Sequence, residues 1–174
     1  MRKWMLAVAI ATITSATACS SSSTSGTDRG GACSAHEVPS SFDPSSPQVS
    51  LRNDVLPIFR LSCGLSSACH QLPASQTGRI YLGSSMGTGN SDAAMVRDAI
   101  VNSPSFDLSS MALVKPGDPS NSFLMHKLDG DQCMFENQCT TQSCGLSMPQ
   151  NSTLLEEDRR DTIRRWISQG ARNN

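Results

Sequence analysis

The sequence predicts a small, mostly α-helical domain held together by disulfide staples. Three observations lead there. Four segments carry apolar residues at helical spacing, and only two short pieces read as extended. Apolar residues make up 37% of the 174-residue chain, so the core is small and calls for cross-links or a cofactor. Seven cysteines, at 19, 33, 63, 69, 133, 139 and 144, supply the means for the first.

The first helix is expected over residues 51–61, with Leu51, Val55, Ile58 and Phe59 on one face and Pro57 straining it midway. A second is expected over 91–101, with Ala94, Met95, Ile100 and Val101 as its apolar residues. A third should start near Ser120 and stop at Gly130, burying Phe123, Leu124 and Leu128 and leaving His126 and Lys127 wet. The fourth, 153–169, aligns Leu155, Ile163, Trp166 and Ile167. Thr153 and Glu156 have capping-box spacing there, and Gly170 is a natural stop. Ile80-Tyr81-Leu82 and Ala112-Leu113-Val114 are candidates to pair as a short β-ribbon.

Before the helices the chain is of another kind. Arg2 and Lys3 precede an apolar run from Met5 to Ile13, and small residues end at Ala18. That run is shorter than the roughly 20 residues a membrane span needs, so residues 1–18 read as a cleaved export signal. Ala16-Thr17-Ala18 followed by Cys19 resembles the lipobox of bacterial lipoproteins. The resemblance implies that Cys19 carries lipid, and Ser20 after it favours the outer membrane or its periplasmic face. Residues 19–48 are rich in Ser, Gly, Thr and Pro and read as a flexible tether, with Cys33 able to pin part of it and His36 idle. Residues 49–174 form the domain.

With Cys19 set aside, six cysteines remain, an even number in an oxidising compartment. Cys33, Cys133, Cys139 and Cys144 are disulfide candidates with three connectivities open. Their spacing lacks the tight Cys-x-x-Cys pairs of structural zinc sites. The formal net charge is −1, and Lys and Arg are few and form no patch beyond the final helix, so no nucleic-acid partner is expected. The run Glu156 to Asp161 is acidic first and basic later, an order that suits the helix dipole. No Ser/His/Asp set, phosphate loop or paired carboxylates argue for an enzyme.

The informative dipeptide is Cys69-His70. A thiol there can add to a haem vinyl group while the next imidazole reaches the iron. The usual signature is Cys-x-x-Cys-His, whereas here Cys63 and Cys69 are separated by five residues, with Ser66 where the first cysteine would stand. Regular helix would carry Cys63 about 9 Å along the axis from Cys69, so both sulfurs reach one haem only if residues 64–68 loop out. Ser147-Met148-Pro149 lies before the last helix, and Met148 can supply a thioether.

Together with Val55-Leu56-Pro57-Ile58-Phe59, the run Val114-Lys115-Pro116-Gly117-Asp118-Pro119 with Ser122 and Leu124, and the closing Trp166-Ile167-Ser168-Gln169-Gly170-Ala171, this order resembles a small cytochrome-c-like domain of exported bacterial proteins. The resemblance covers nearly all of 55–171. It implies first and last helices that cross over a haem c, His70 as proximal ligand, Met148 as distal ligand, Cys69 and Cys63 as attachment points, and a redox protein as partner. Two other readings stay open. Cys63 and Cys69 can bond each other, worth about 2 kcal/mol for so short a loop, leaving a haem-free structural or interaction module with Met148 as core filler. A copper site of His70, Met148 and a thiolate is the third.

Overall fold

The computed structural model describes residues 33–73, 79–87 and 91–174. The first helix opens at Ser50, whose hydroxyl accepts from the Asn53 amide while its own amide donates to Asp54 Oδ2 at 2.7 Å. Residues Leu51–Val55 wind as a π-type turn, and α1 (Leu56–Ser62) continues from it. The change falls at Pro57, which has no amide to donate and whose ring would crowd the carbonyl four residues back. The wider turn, closed by Leu56 N–H to Leu51 O, accommodates it. Leu51, Val55, Leu56 and Phe59 are buried from this element, whereas Ile58 is only partly so.

Helix α2 (Ser91–Ile100) forms as expected but turns another face inward. Ala93, Val96 and Ile100 are fully buried, while Met95 is 47% exposed. Two polar contacts fix the rotation: Asp92 pairs with Arg60 of α1 at 2.7 Å, and Arg97 Nε donates to the Ala171 carbonyl at 3.0 Å.

A turn built on Asp118 prepares α3 (Phe123–Asp129). The Asp118 carboxylate accepts from the Asn121 amide and from Lys115 Nζ, and the Ser122 hydroxyl bridges the Asp118 carbonyl and the Lys115 amide. The Gly117 amide donates to the Ile167 carbonyl at 2.8 Å, so the turn also grips the last helix. Gly130 ends α3 in a left-handed conformation, φ 79°. Helix α4 (Glu157–Ser168) starts later than expected: Glu156 is its N-cap residue, and no side chain caps it. Ile163, Trp166 and Ile167 are buried as the periodicity required. Gly170, φ 96°, stops it.

These helices share one core, in which Leu51, Val55 and Phe59 from the chain start join Trp166, Ile167 and Ala171 from its end. The Asn174 carboxamide seals that junction, accepting from the Leu51 amide and donating to the Val49 carbonyl. A smaller cluster of Leu108, Phe123, Cys139 and Cys144 lies beside it. The protein is thus mostly helical and disulfide-linked.

Several expectations are corrected. The two extended pieces do not pair: Val114 bridges Val101, Ala112 bridges Pro104, and Leu82 donates instead to His70. Cys33 bonds Cys133 and Cys139 bonds Cys144, which selects one of the three connectivities. From Cys33 onward the segment read as tether lies on the domain. Gln169 Nε2 donates to the Pro44 and Pro47 carbonyls, and Arg165 donates to the Asp43 carbonyl. The export signal, Cys19 and the start of the tether lie outside the described residues.

Candidate functional site

The segment after α1 leaves the helix at once. Cys63 and Gly64 both donate to the Phe59 carbonyl, closing the helix end. The chain then loops out and returns, with Cys69 N–H to Ser66 O at 3.0 Å and His70 N–H to Cys63 O at 3.1 Å. Cys63 and the Cys69-His70 pair are therefore neighbours across a closed loop and not successive turns of a helix.

A second strand of backbone lies against this loop. Leu82 N–H donates to His70 O and Ser85 N–H to Gly64 O, both at 3.0 Å. The approach is so close that a Cβ on Gly64 would collide with the Gly83 carbonyl oxygen, which explains a glycine at that position. Because residue 80 is thereby brought beside residue 70, His70 Nδ1 lies 2.9 Å from the Ile80 carbonyl. A carbonyl only accepts, so Nδ1 carries the proton and Nε2 keeps its lone pair. Burial, against the help of that carbonyl, lowers the His70 pKa, and the charges of Arg79 and Lys127 push the same way.

The two cysteines differ. Cys63 is a free thiol, 7% exposed, and burial pushes its pKa up to about 12. The helix end turns it into the core, so the Cys63–Cys69 disulfide is not formed. Cys69 Sγ accepts from Ser66 Oγ at 3.4 Å and is disulfide-bonded.

Met148 packs partly buried against the main core. Its amide donates to the Lys127 carbonyl at 2.7 Å, one of the carbonyls that the end of α3 leaves without a helical partner. Lys127 is the residue that sequence reasoning misplaced. It is 8% exposed, and its ammonium donates to the Cys144 carbonyl at 2.6 Å, with Asp107 3.6 Å away. A signal was available, since Lys127 stands four residues after Phe123 and three after Leu124, within the buried stripe. Of the two predicted ligands, Met148 is thus tied to Lys127 at the end of α3, whereas His70 is held by the Ile80 carbonyl.

The expected wet face of α3 fails at His126 too. Its Nδ1 lies 2.8 Å from Asp131 Oδ1 and its Nε2 3.1 Å from the Ser120 carbonyl. Both partners accept, so the two contacts favour the protonated ring. Burial alone would lower its pKa, but the Asp131 carboxylate overrides this and the net shift is upward. His36 is likewise not idle: its amide donates to Asp131 Oδ2, and its ring faces Asp129 at 3.8 Å. Asp129, at the end of α3, takes Arg160 at 2.7 Å and Arg164 through both oxygens. Arg160, within the charge run given to the helix dipole, therefore has a specific structural partner.

Among the described residues no group of three or more His, Cys, Asp or Glu side chains could hold a bare metal ion, and no helix is long and apolar enough to cross a membrane. Two surface hollows, one bordered by Gln48 and Arg172 and the other by Lys115 and Phe135, do not involve His70 or Met148. Comparison with family models, curated proteins and solved structures returns no match.

Proposed function

We propose that this chain is an exported, lipid-anchored c-type cytochrome-like protein that carries one haem c and passes single electrons to a redox protein partner. The observation that carries the reading is the His70 Nδ1 to Ile80 carbonyl contact at 2.9 Å. A histidine that serves a metal is oriented this way, one nitrogen held by a backbone acceptor and the other left for the iron. The looped-out 64–68 segment adds to it, because it removes the separation that a helix would impose between Cys63 and Cys69. His70 and Met148 would hold the haem iron, with Cys69 the preferred attachment point and Cys63 the second. The haem supplies the redox chemistry; the chain supplies ligands, burial and a docking surface, and acts as a carrier and not an enzyme. Thioether formation at Cys69 would consume its thiol, so the haem-loaded chain would have no disulfide at Cys69. Cys19 is the anchor, in the outer membrane or facing the periplasm.

A second reading has an observation of its own. Cys69 is disulfide-bonded, and Cys33–Cys133 and Cys139–Cys144 staple the domain, as a haem-free interaction or structural module would need. One measurement separates the two. Protein matured in a host competent for haem c attachment is unfolded, reduced, alkylated and weighed. Retained haem mass with Cys69 unlabelled and Cys63 labelled is the expected result, and His70→Ala should abolish loading. Alkylation of both cysteines with no haem retained refutes the carrier and leaves the module.

A further inference from the structure

We infer that Lys127 is the positioning residue for the Met148 loop, fastening it to the end of α3 at two points. One fastening is main chain: the Lys127 carbonyl accepts from the Met148 amide at 2.7 Å. The other is side chain: the Lys127 ammonium donates to the Cys144 carbonyl at 2.6 Å. One residue thus holds both ends of the 144–148 segment.

A buried lysine needs a reason, because taking an ammonium out of water is costly unless it is paired and hydrogen-bonded. Here the cation is placed for the loop. The Asp107 carboxylate, 37% exposed, lies 3.6 Å from Nζ, and the Phe123 ring centroid lies 5.8 Å from it. The Cys139–Cys144 disulfide sets where the Cys144 carbonyl stands, and Gly145 follows at φ 67° with its Cβ direction 3.2 Å from Nζ. A side chain there would press on the ammonium, so the glycine and the lysine fit each other. Gln132 Nε2 donates to the Gly145 carbonyl at 3.2 Å and braces the same stretch. The loop itself depends on no haem. That its purpose is to present the Met148 thioether rests on the cytochrome reading.

Amide hydrogen exchange of the full mature chain, purified without haem, tests the loop directly. In the wild type the Met148 amide should be protected. In Lys127→Met, which keeps the carbonyl and the aliphatic stem but loses the ammonium, that amide should exchange roughly tenfold faster while Leu124 and Trp166 amides hold their rates. Lys127→Arg, which restores a donor cation, should recover most of the protection. An unprotected Met148 amide in the wild type overturns the inference even if Lys127→Met does not fold. Unchanged Met148 exchange in Lys127→Met overturns it too, and so does a uniform acceleration across all helices. In haem-loaded protein, Lys127→Met should weaken the spectroscopic signature of thioether ligation. Absence of haem from both proteins counts against the cytochrome reading alone, since the exchange result judges the loop.

Discussion

Replacing Trp166 with alanine should remove the contact on which the chain's two ends meet. The side chain is 1% exposed and belongs to the core shared with Leu51, Val55 and Phe59. An indole buries about 150–250 Å². At about 25 cal/mol per Å² that is roughly 4–6 kcal/mol for the whole side chain, and truncations of this kind cost about 3–5 kcal/mol once the retained methyl and partial collapse are counted. The indole Nε1 also donates to the Arg172 carbonyl at 2.9 Å, a bond worth about 1 kcal/mol. The expected loss is therefore about 4 kcal/mol or more, a large part of the roughly 5–15 kcal/mol that holds an ordinary domain. Urea unfolding followed by circular dichroism would measure it without relying on the lost fluorophore. Trp166→Phe, which keeps a ring and loses the hydrogen bond, should cost clearly less. A loss under about 1 kcal/mol for Trp166→Ala would refute the packing of α4 against the first turn.

Asp129→Asn leaves Arg160 and Arg164, 11% and 4% exposed at their side chains, facing a neutral amide. Removing one member of a buried ion pair typically costs about 3–5 kcal/mol, and a urea midpoint no lower than wild type would contradict that. His126 should make stability pH-dependent. Its folded-state pKa lies above the ordinary 6.5, so folding takes up a proton there; the contribution is complete below about 6.5 and is lost as the pH rises through the folded value. Asp131, its pKa lowered by His126 and the His36 amide in spite of burial, loses its share only on the acid side, below about 3.8. Asp129 adds its charge to the same ring, so Asp131→Asn should flatten the dependence between pH 6.5 and alkaline conditions without fully erasing it. Gly64→Ala drives a methyl into the Gly83 carbonyl and should cost at least about 1–3 kcal/mol. A thermal melt like that of the wild type would mean that the 63–70 and 80–85 segments are not in contact.

The helices that could be read from the sequence were those with a strong local signal. In α4, Ile163, Trp166 and Ile167 recur at helical spacing and Gly170 ends the run, and each does what the pattern implied. The third helix and its Gly130 stop were equally plain. The second was found in place but not in phase. Ala94 and Met95 are as apolar as Ala93 and Val96, and periodicity over ten residues does not choose between them; Arg60 and the Ala171 carbonyl do, from elsewhere in the chain.

For the site, composition and order sufficed to single out Cys63, Cys69, His70 and Met148, because reactive side chains are recognisable one at a time. Their arrangement was not legible. Whether residues 64–68 loop out depends on a backbone contact with residues 83 and 85, and which nitrogen of His70 is held depends on a carbonyl ten residues away. The pairing of Cys33 with Cys133 spans 100 residues, and the grip of Arg160 and Arg164 on Asp129 spans 31 and 35. Sequence by itself determined which residue types were available and which short segments would coil, since propensity and spacing act within a few turns. Partners, protonation and burial at His126, Lys127 and Asp129 were decided only by the tertiary structure, because desolvation and hydrogen bonding depend on what distant segments bring alongside.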